Sequence, residues 1–383
     1  MKKITVLLLL MVLLVPSAAW GEDSYVVVED DDPAPDVLFQ ARYMMRRMTD
    51  EEKLYQLFIV APEDLTGEGR TVSLPAENAL SARPVGGVML FGQNMESARQ
   101  VSALTAQLNA QAAQARLYPL FIAVEEEGGL LSRVANKLGY EMAPAPEEIG
   151  AAQDPEQARA AGRRIAAYLK PLGINLSLAP TADTVIDNPR VGVQTYGTDP
   201  ALVSRMAQAM AEGLREGGVL PCYTHFPGHG SIEGTTVQNL SLTRTLNEMR
   251  VWEWIPFQDG IAGGIEMILV SHGQFRTVGE DLPASTSNRV INGLLRGELG
   301  FQGVVMTDSL RMAAVTSRYK TGQECVAALK AGADLLLLPP DLDKAVNALR
   351  AALQTGELTM TRVEESVMRI LAAKIKMSLI WEE

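Results

Sequence analysis

The feature that most restricts this chain is a march of eight short β-rich or apolar runs. They lie at Tyr55–Val60, Val85–Phe91, Leu120–Val124, Ile174–Ala179, Leu220–Thr224, Met267–Ser271, Gly303–Thr307 and Asp334–Leu338. Between most of them the apolar residues recur with a period near 3.6, the spacing of an amphipathic helix. Two helices have clear starts: Asp154-Pro155 and Asp199-Pro200 each set an N-cap acid before a proline at the first helical position. The stretches Glu156–Leu169 and Ala201–Leu214 follow these caps, and a further helix is predicted from Thr361 to about Met377. Strands that alternate with helices pair in parallel through right-handed crossovers. Eight such units predict an α/β chain folded as one (β/α)8 TIM barrel over residues 41–383. The competing architecture is an open doubly wound sheet with dinucleotide-type loops. No G-x-G-x-x-G follows the first strand and no G-x-x-x-x-G-K-[ST] occurs, so phosphate cradles are unsupported and no cofactor is expected. No second domain is expected after the last helix.

The N-terminus reads as an address. Lys2 and Lys3 precede a run from Ile4 to Val15 that is apolar except for Thr5, and Ala19-Trp20-Gly21 closes it with small residues at −3 and −1. This pattern predicts a signal peptide over residues 1–21, cut before Glu22, and a periplasmic or secreted protein. The run is short for a bilayer span, which disfavours an uncleaved anchor. Residues 22–40 form an acidic lead-in, with seven acids between Glu22 and Asp36 and prolines at 33 and 35, expected to be flexible. The net charge of −12 becomes −14 when Lys2 and Lys3 leave with the leader and no acid does. Such a balance argues against nucleic acid, whose phosphates need a basic footprint. The mature protein is expected to be a soluble monomer without a membrane partner. Two cysteines make no disulfide framework, and Cys222 and Cys325 read as small hydrophobes.

In a barrel, catalytic residues follow the C-terminal ends of strands. At those positions stand Glu125-Glu126-Glu127-Gly128-Gly129, Asp183, Thr224-His225-Phe226-Pro227-Gly228-His229, Ser271-His272-Gly273 and Thr307-Asp308-Ser309. All three histidines of the chain are among them. His225 and His229 have the i,i+4 spacing of a helical metal pair, but Pro227 and Gly228 between them disfavour a helix, so no metal is expected. Glu126 reads as part of a solvated turn, Asp308 as a functional carboxylate rather than a buried structural acid. Trp252 and Trp254 are expected to pack a helix against the barrel rather than stack on a sugar. The predicted site is a pocket lined by Glu125, His225, His272 and Asp308.

The stretches Glu125–Arg133, Asn188–Pro200, His225–Gly230, Phe301–Leu310 and Ala331–Pro339 resemble glycoside hydrolase family 3, and most of all its single-domain bacterial β-N-acetylglucosaminidases. The likeness runs from about Met48 to Ile380, and its most specific segments are Glu298–Leu310 and the H-F-P-G-H-G at His225–Gly230. It implies retaining hydrolysis of β-linked N-acetylhexosamine or a related β-glycoside in glycans or peptidoglycan fragments. In that mechanism a carboxylate attacks the anomeric carbon while a separate acid protonates the leaving oxygen. By resemblance Asp308 is the nucleophile, and Glu125 takes the place of an aspartate that grips sugar hydroxyls. His225 matches a sugar-binding histidine, and Arg133 closes the strand-three motif.

The departures from the family pattern cluster. Thr224 replaces a lysine, Gln194 an arginine and Leu130 the last residue of G-G-R. The D-S-H whose histidine and aspartate supply the acid/base is missing: the stretch Ser231–Asn239 has no histidine and puts Asn239 in its place. An amide cannot transfer a proton near neutral pH. The one carboxylic acid left in that loop is Glu233, which makes it the candidate acid/base. Two readings stay open: a divergent glycosidase using Asp308 and Glu233, or a barrel that binds a glycan or protein without turnover. Losing the lysine and arginine removes charged hydrogen bonds worth roughly 1.5–3 kcal/mol each.

Overall fold

The computed structural model describes residues 36–71, 79–115, 118–185, 194–229, 232–233, 241–242 and 244–377. The proposed leader, the Asn188-Pro189 turn and Asn239 lie outside them. Residues 37–40 do not belong to a flexible lead-in. They open a helix, Val37–Arg46, because Ala41 and Met45 of its inner face pack into the core.

The strands in chain order are β1 Phe58–Val60, β2 Gly87–Met89, β3 Phe121–Val124, β4 Leu176–Ser177, β5 Leu220–Pro221, β6 Tyr223–Phe226, β7 Ile232–Glu233, β8 Ser241–Leu242, β9 Met267–Val270, β10 Val304–Thr307 and β11 Leu336–Leu337. Six of them form one sheet in the order β11-β1-β2-β3-β4-β5, and three form another in the order β10-β9-β6. Every pairing in these two sheets is parallel. Isolated parallel bridges pair Thr224 of β6 with Thr181, which follows β4, and Met306 of β10 with Leu335, which precedes β11. β7 and β8 make a separate antiparallel hairpin.

Each of the eight expected runs holds a strand; seven are shorter than the run and the fifth is divided. The first run loses Tyr55 and Gln56 to the helix Asp50–Gln56, which a capping box between Thr49 and Glu52 starts. The fifth divides at Cys222: β5 pairs with β4 while β6 turns to β9, and Cys222 N–H donates to the carbonyls of Ser177 and Ala179 at 3.1 and 2.8 Å. The proline-led helices appear at Pro155–Leu169 and Pro200–Glu216, with Asp154 and Asp199 accepting hydrogen bonds from Glu156 N–H and Ala201 N–H. β1, β2, β3, β9 and β10 are buried throughout, which explains why they read as continuous apolar runs rather than alternating ones. Gly87 lets β2 approach β3, since a Cβ there would lie 2.5 Å from the Phe121 carbonyl oxygen.

Two buried polar groups hold the strand starts. Lys374, 0% exposed, donates to Gln56 Oε1 at 3.0 Å, and Gln56 Nε2 donates to the carbonyls of Pro84 and Val85 just before β2. Asp334, two residues before β11, accepts from Arg296, Arg362, Arg369, Ser366 and Val305 N–H. Cys222 and Cys325 are both free and buried, and burial pushes both thiols up, away from reactivity.

Candidate active site

The polar chemistry gathers where the parallel strands end. Asp308 follows β10; its N–H donates to the Val270 carbonyl, and its Oδ1 accepts from Ser309 N–H at 2.7 Å. It lines a cavity of about 240 Å³ with Glu125, Gln93, Phe91, Arg311 and Leu337. Burial disfavours its charge, yet the His272 and His225 rings and the Ser309 N–H outweigh it and hold the carboxyl below its usual range. An ionised carboxylate with one oxygen free of backbone hydrogen bonds is the state a nucleophile needs.

Glu125 is the first residue after β3. Its Oε2 accepts from Arg133 Nη2 at 3.0 Å and Nε at 3.2 Å, so two residues expected at a binding site are joined in one ion pair at its edge. The second glutamate departs from expectation. Glu126 is not in a solvated turn but fully buried, accepting from Val134 N–H, Ala135 N–H and Tyr168 Oη at 2.6, 3.1 and 2.7 Å. The free N–H groups that open the helix Arg133–Leu138 need an acceptor, and this carboxylate supplies it. Glu127 is buried as well and accepts from Thr224 Oγ1 at 3.2 Å. Burial pushes its carboxyl up to about 8, so it holds a proton at neutral pH. Gln194 turns its Nε2 to the Gly128 carbonyl at 3.3 Å, and its buried Oε1 has no partner among the described residues.

His225 lies in β6 and stacks on His229, ring centroids 4.2 Å apart. A tight turn, with Gly228 N–H donating to the His225 carbonyl at 2.7 Å, brings the two rings together without a helix. Asp183, singled out in the sequence only by its place after strand four, is the hub beneath them. Its Oδ2 meets His225 Nδ1 at 2.8 Å, and its Oδ1 accepts from His229 N–H at 2.7 Å and His225 N–H at 3.4 Å. Burial works against a charged His225, but the Asp183 hydrogen bond and charge dominate and push it up to about 9. Burial and the charge of His225 push His229 down to about 4. The pair is therefore a charged ring above a neutral one. Asp183, His225 and His229 also bring three ligand-type atoms within 4.8 Å of one another.

Replacing Asp183 with Asn should lower the His225 pKa from about 9, because burial is then opposed only by the smaller effects of Asp308 and Glu127. Titration of the imidazole resonances by NMR reads this directly; an unshifted His225 would mean that Asp183 does not hold its proton.

Of the four residues expected to line the pocket, Glu125 and Asp308 line this cavity, whereas His225 does not, and nor does His272. It is 1% exposed, with Nδ1 on Ser285 Oγ at 2.7 Å and Nε2 on the Ser309 carbonyl at 2.9 Å. With both ring nitrogens engaged it cannot bind a sugar hydroxyl, and its role is to fix the backbone beside Asp308. The sequence placed it correctly at a strand end, but not its partners, because Ser285 comes from a distant turn. Glu233 lies in β7, whose backbone pairs with Ser241 of β8, and its side chain is outside the described residues. Trp254 packs as expected, its Nε1 donating to the Pro227 carbonyl at 3.1 Å.

Residues 49–373 match the glycosyl hydrolase family 3 N terminal domain. A β-hexosaminidase of Stenotrophomonas maltophilia strain K279a is 36% identical over 284 residues, covering 72% of this chain and 83% of that protein. Among solved structures, a family 3 β-N-acetylglucosaminidase from Paenibacillus sp. str. FPU-7 superposes with a TM-score of 0.81 at 34% identity over 87% of this chain. This chain spans 63% of the length of that one. M tuberculosis LpqI is similar at a TM-score of 0.74 and 28% identity, with 86% of this chain and 95% of that chain covered.

Proposed function

This chain belongs to glycosyl hydrolase family 3, and from that premise we propose that it releases terminal β-linked N-acetylhexosamine, or a related β-glycosyl unit, from glycans or peptidoglycan fragments with retention. The observation that carries this reading is Asp308, an ionised carboxylate at the end of β10 that faces a cavity. We read the two parallel sheets as one closed ring, which the bridges Thr181–Thr224 and Met306–Leu335 support. Closure would explain why side chains from distant segments share one pocket.

In this mechanism an Asp308 oxygen attacks the anomeric carbon as the bond to the leaving oxygen breaks, and water later displaces the carboxylate. Ser309 N–H holds Oδ1 and leaves Oδ2 for the attack, while His272 fixes the Ser309 carbonyl. Protonated His225 and the Glu125–Arg133 pair offer donors and an acceptor to sugar hydroxyls. Glu233 is the candidate for the proton on the leaving oxygen, and the base for water in the second step.

The test uses the purified full chain and a matched pair of β-N-acetylglucosaminides, one with an acidic phenol and one with an alcohol as leaving group. Both should be hydrolysed. Glu233→Gln should spare cleavage of the aryl substrate and slow that of the alkyl one by roughly 10²-fold or more, the usual worth of a general acid. Equal rates for both substrates in the variant and the wild type would remove Glu233 from the mechanism. If the wild type turns over neither, the chain is a binder built on a glycosidase scaffold.

A further inference from the structure

A second cavity, of about 420 Å³, adjoins the one that Asp308 lines, and Gln93 lines both. Arg311, in the wall of the first, pairs with Asp64, the neighbour of Glu63 in the wall of the second. The second cavity is built from the segments that follow β1 and β2, so it belongs to the same end of the strands as the proposed nucleophile. The side chains that line it are those of Glu63, Glu68, Arg70, Thr71 and Gln93, and none is apolar.

The two segments are fastened to each other. Asn94, fully buried, donates from Nδ2 to Glu63 Oε2 and to the Gly69 carbonyl, both at 2.9 Å, and its Oδ1 accepts from Phe91 N–H at 2.8 Å. Gln100 Nε2 donates to the Arg70 and Asn94 carbonyls at 2.8 and 3.1 Å, and Arg70 Nε to the Gln93 carbonyl at 2.8 Å. A wall held in this way needs little ordering when a ligand arrives. It presents both kinds of hydrogen-bonding group. Thr71 Oγ1 donates to Glu68 Oε2 at 2.6 Å, which leaves Glu68 Oε1 as an acceptor. Arg70 Nη1 stands 4.0 Å from Glu96, so the Nη groups can still donate. Sugar hydroxyls, each a donor and an acceptor, match such a wall. Glu63, Glu68 and Glu96 outnumber the single guanidinium, and that balance repels an anionic group.

The geometry points to this second cavity as the site for the leaving part of the substrate, an uncharged sugar unit that Glu68 and Arg70 select through its hydroxyls. The inference rests on the glycosidase reading and deepens it, and its test does not depend on turnover. Methyl 1-thio-β-N-acetylglucosaminide is titrated calorimetrically into the full chain beside two S-linked disaccharides. Their second rings are N-acetylglucosamine and N-acetylmuramic acid, the latter with a carboxylate, and the sulfur linkage resists hydrolysis. The uncharged disaccharide should bind about tenfold or more tightly than the methyl compound, the scale of one hydrogen bond to a charged group. The acidic disaccharide should bind less tightly than the uncharged one. Glu68→Ala should reduce the tenfold ratio to about twofold or less without weakening binding of the methyl compound. Thr71→Val, which removes the hydroxyl that holds Glu68, should lower the ratio as well. Equal binding of the methyl compound and the uncharged disaccharide by the wild type, or a ratio unchanged by Glu68→Ala, overturns the sugar site while leaving the glycosidase reading in place. Tighter binding of the acidic disaccharide also overturns it. If none of the three compounds binds, both readings fall.

Discussion

Asp308→Asn should lower turnover of every β-glycoside by roughly 10⁴-fold or more, the scale on which loss of a covalent nucleophile is felt. The substitution keeps the shape of the side chain and an oxygen to accept from Ser309 N–H, so the fold should stay intact. What it removes is the charge and the attacking electron pair. Neither nearby carboxylate can stand in: Glu125 is engaged by Arg133, and Glu127 is buried and protonated at neutral pH. The variant should also lower the pKa of His225, because Asp308 is one of the anions that raise it. Steady-state rates on aryl and alkyl substrates check the first effect, and histidine titration the second. A variant that keeps more than about a tenth of wild-type activity would move the nucleophile to another residue.

The second large effect concerns stability. Lys374 is buried against Gln56 and the face of Phe121, with the ammonium 5.0 Å from the ring centroid. Burial lowers its pKa from 10.5 to about 7. The unfolded chain therefore binds more protons than the folded one between those values, and this group makes the protein more stable as pH rises from about 7 to 10.5. Below pH 7 the full penalty applies, about 5 kcal/mol. Lys374→Met removes the penalty but leaves Gln56 Oε1 without its donor, at a cost of about 1–3 kcal/mol. At pH 6 the variant should be more stable than the wild type by roughly 2–4 kcal/mol. Above about pH 10 it should be the less stable of the two. Urea unfolding at pH 6, 8 and 10 follows the difference, in which other titrating groups cancel. Two stability curves that run parallel across that range would mean that Lys374 carries its charge in the folded protein throughout.

Much of the molecule was legible in the chain itself. Periodicity located the strands, because parallel strands covered on both faces must be apolar along their length, and the caps at Asp154 and Asp199 follow from local backbone hydrogen bonding. Asp308, Glu125 and His225 were found as polar residues at the points where apolar runs stop, and the motifs around them pointed to the family that residues 49–373 match. Partnership was not legible. Glu126, Glu127 and Glu125 are consecutive and chemically alike, yet one caps a helix, one is a buried neutral acid and one sits at the pocket edge. Their hydrogen-bond partners include Tyr168, Thr224 and Arg133, and two of these lie 42 and 97 residues away. His272 was placed at the right strand end, but Ser285 and Ser309 occupy its ring nitrogens and turn it from sugar to backbone. Asp183 gained its importance only when folding set it beneath two histidines more than 40 positions on. The sequence by itself determined which segments become strands and helices and which residues stand at their ends, since those depend on neighbours along the chain. The charge state and hydrogen-bond partners of each site residue were decided by the tertiary structure alone, because burial and field come from atoms that only folding brings near.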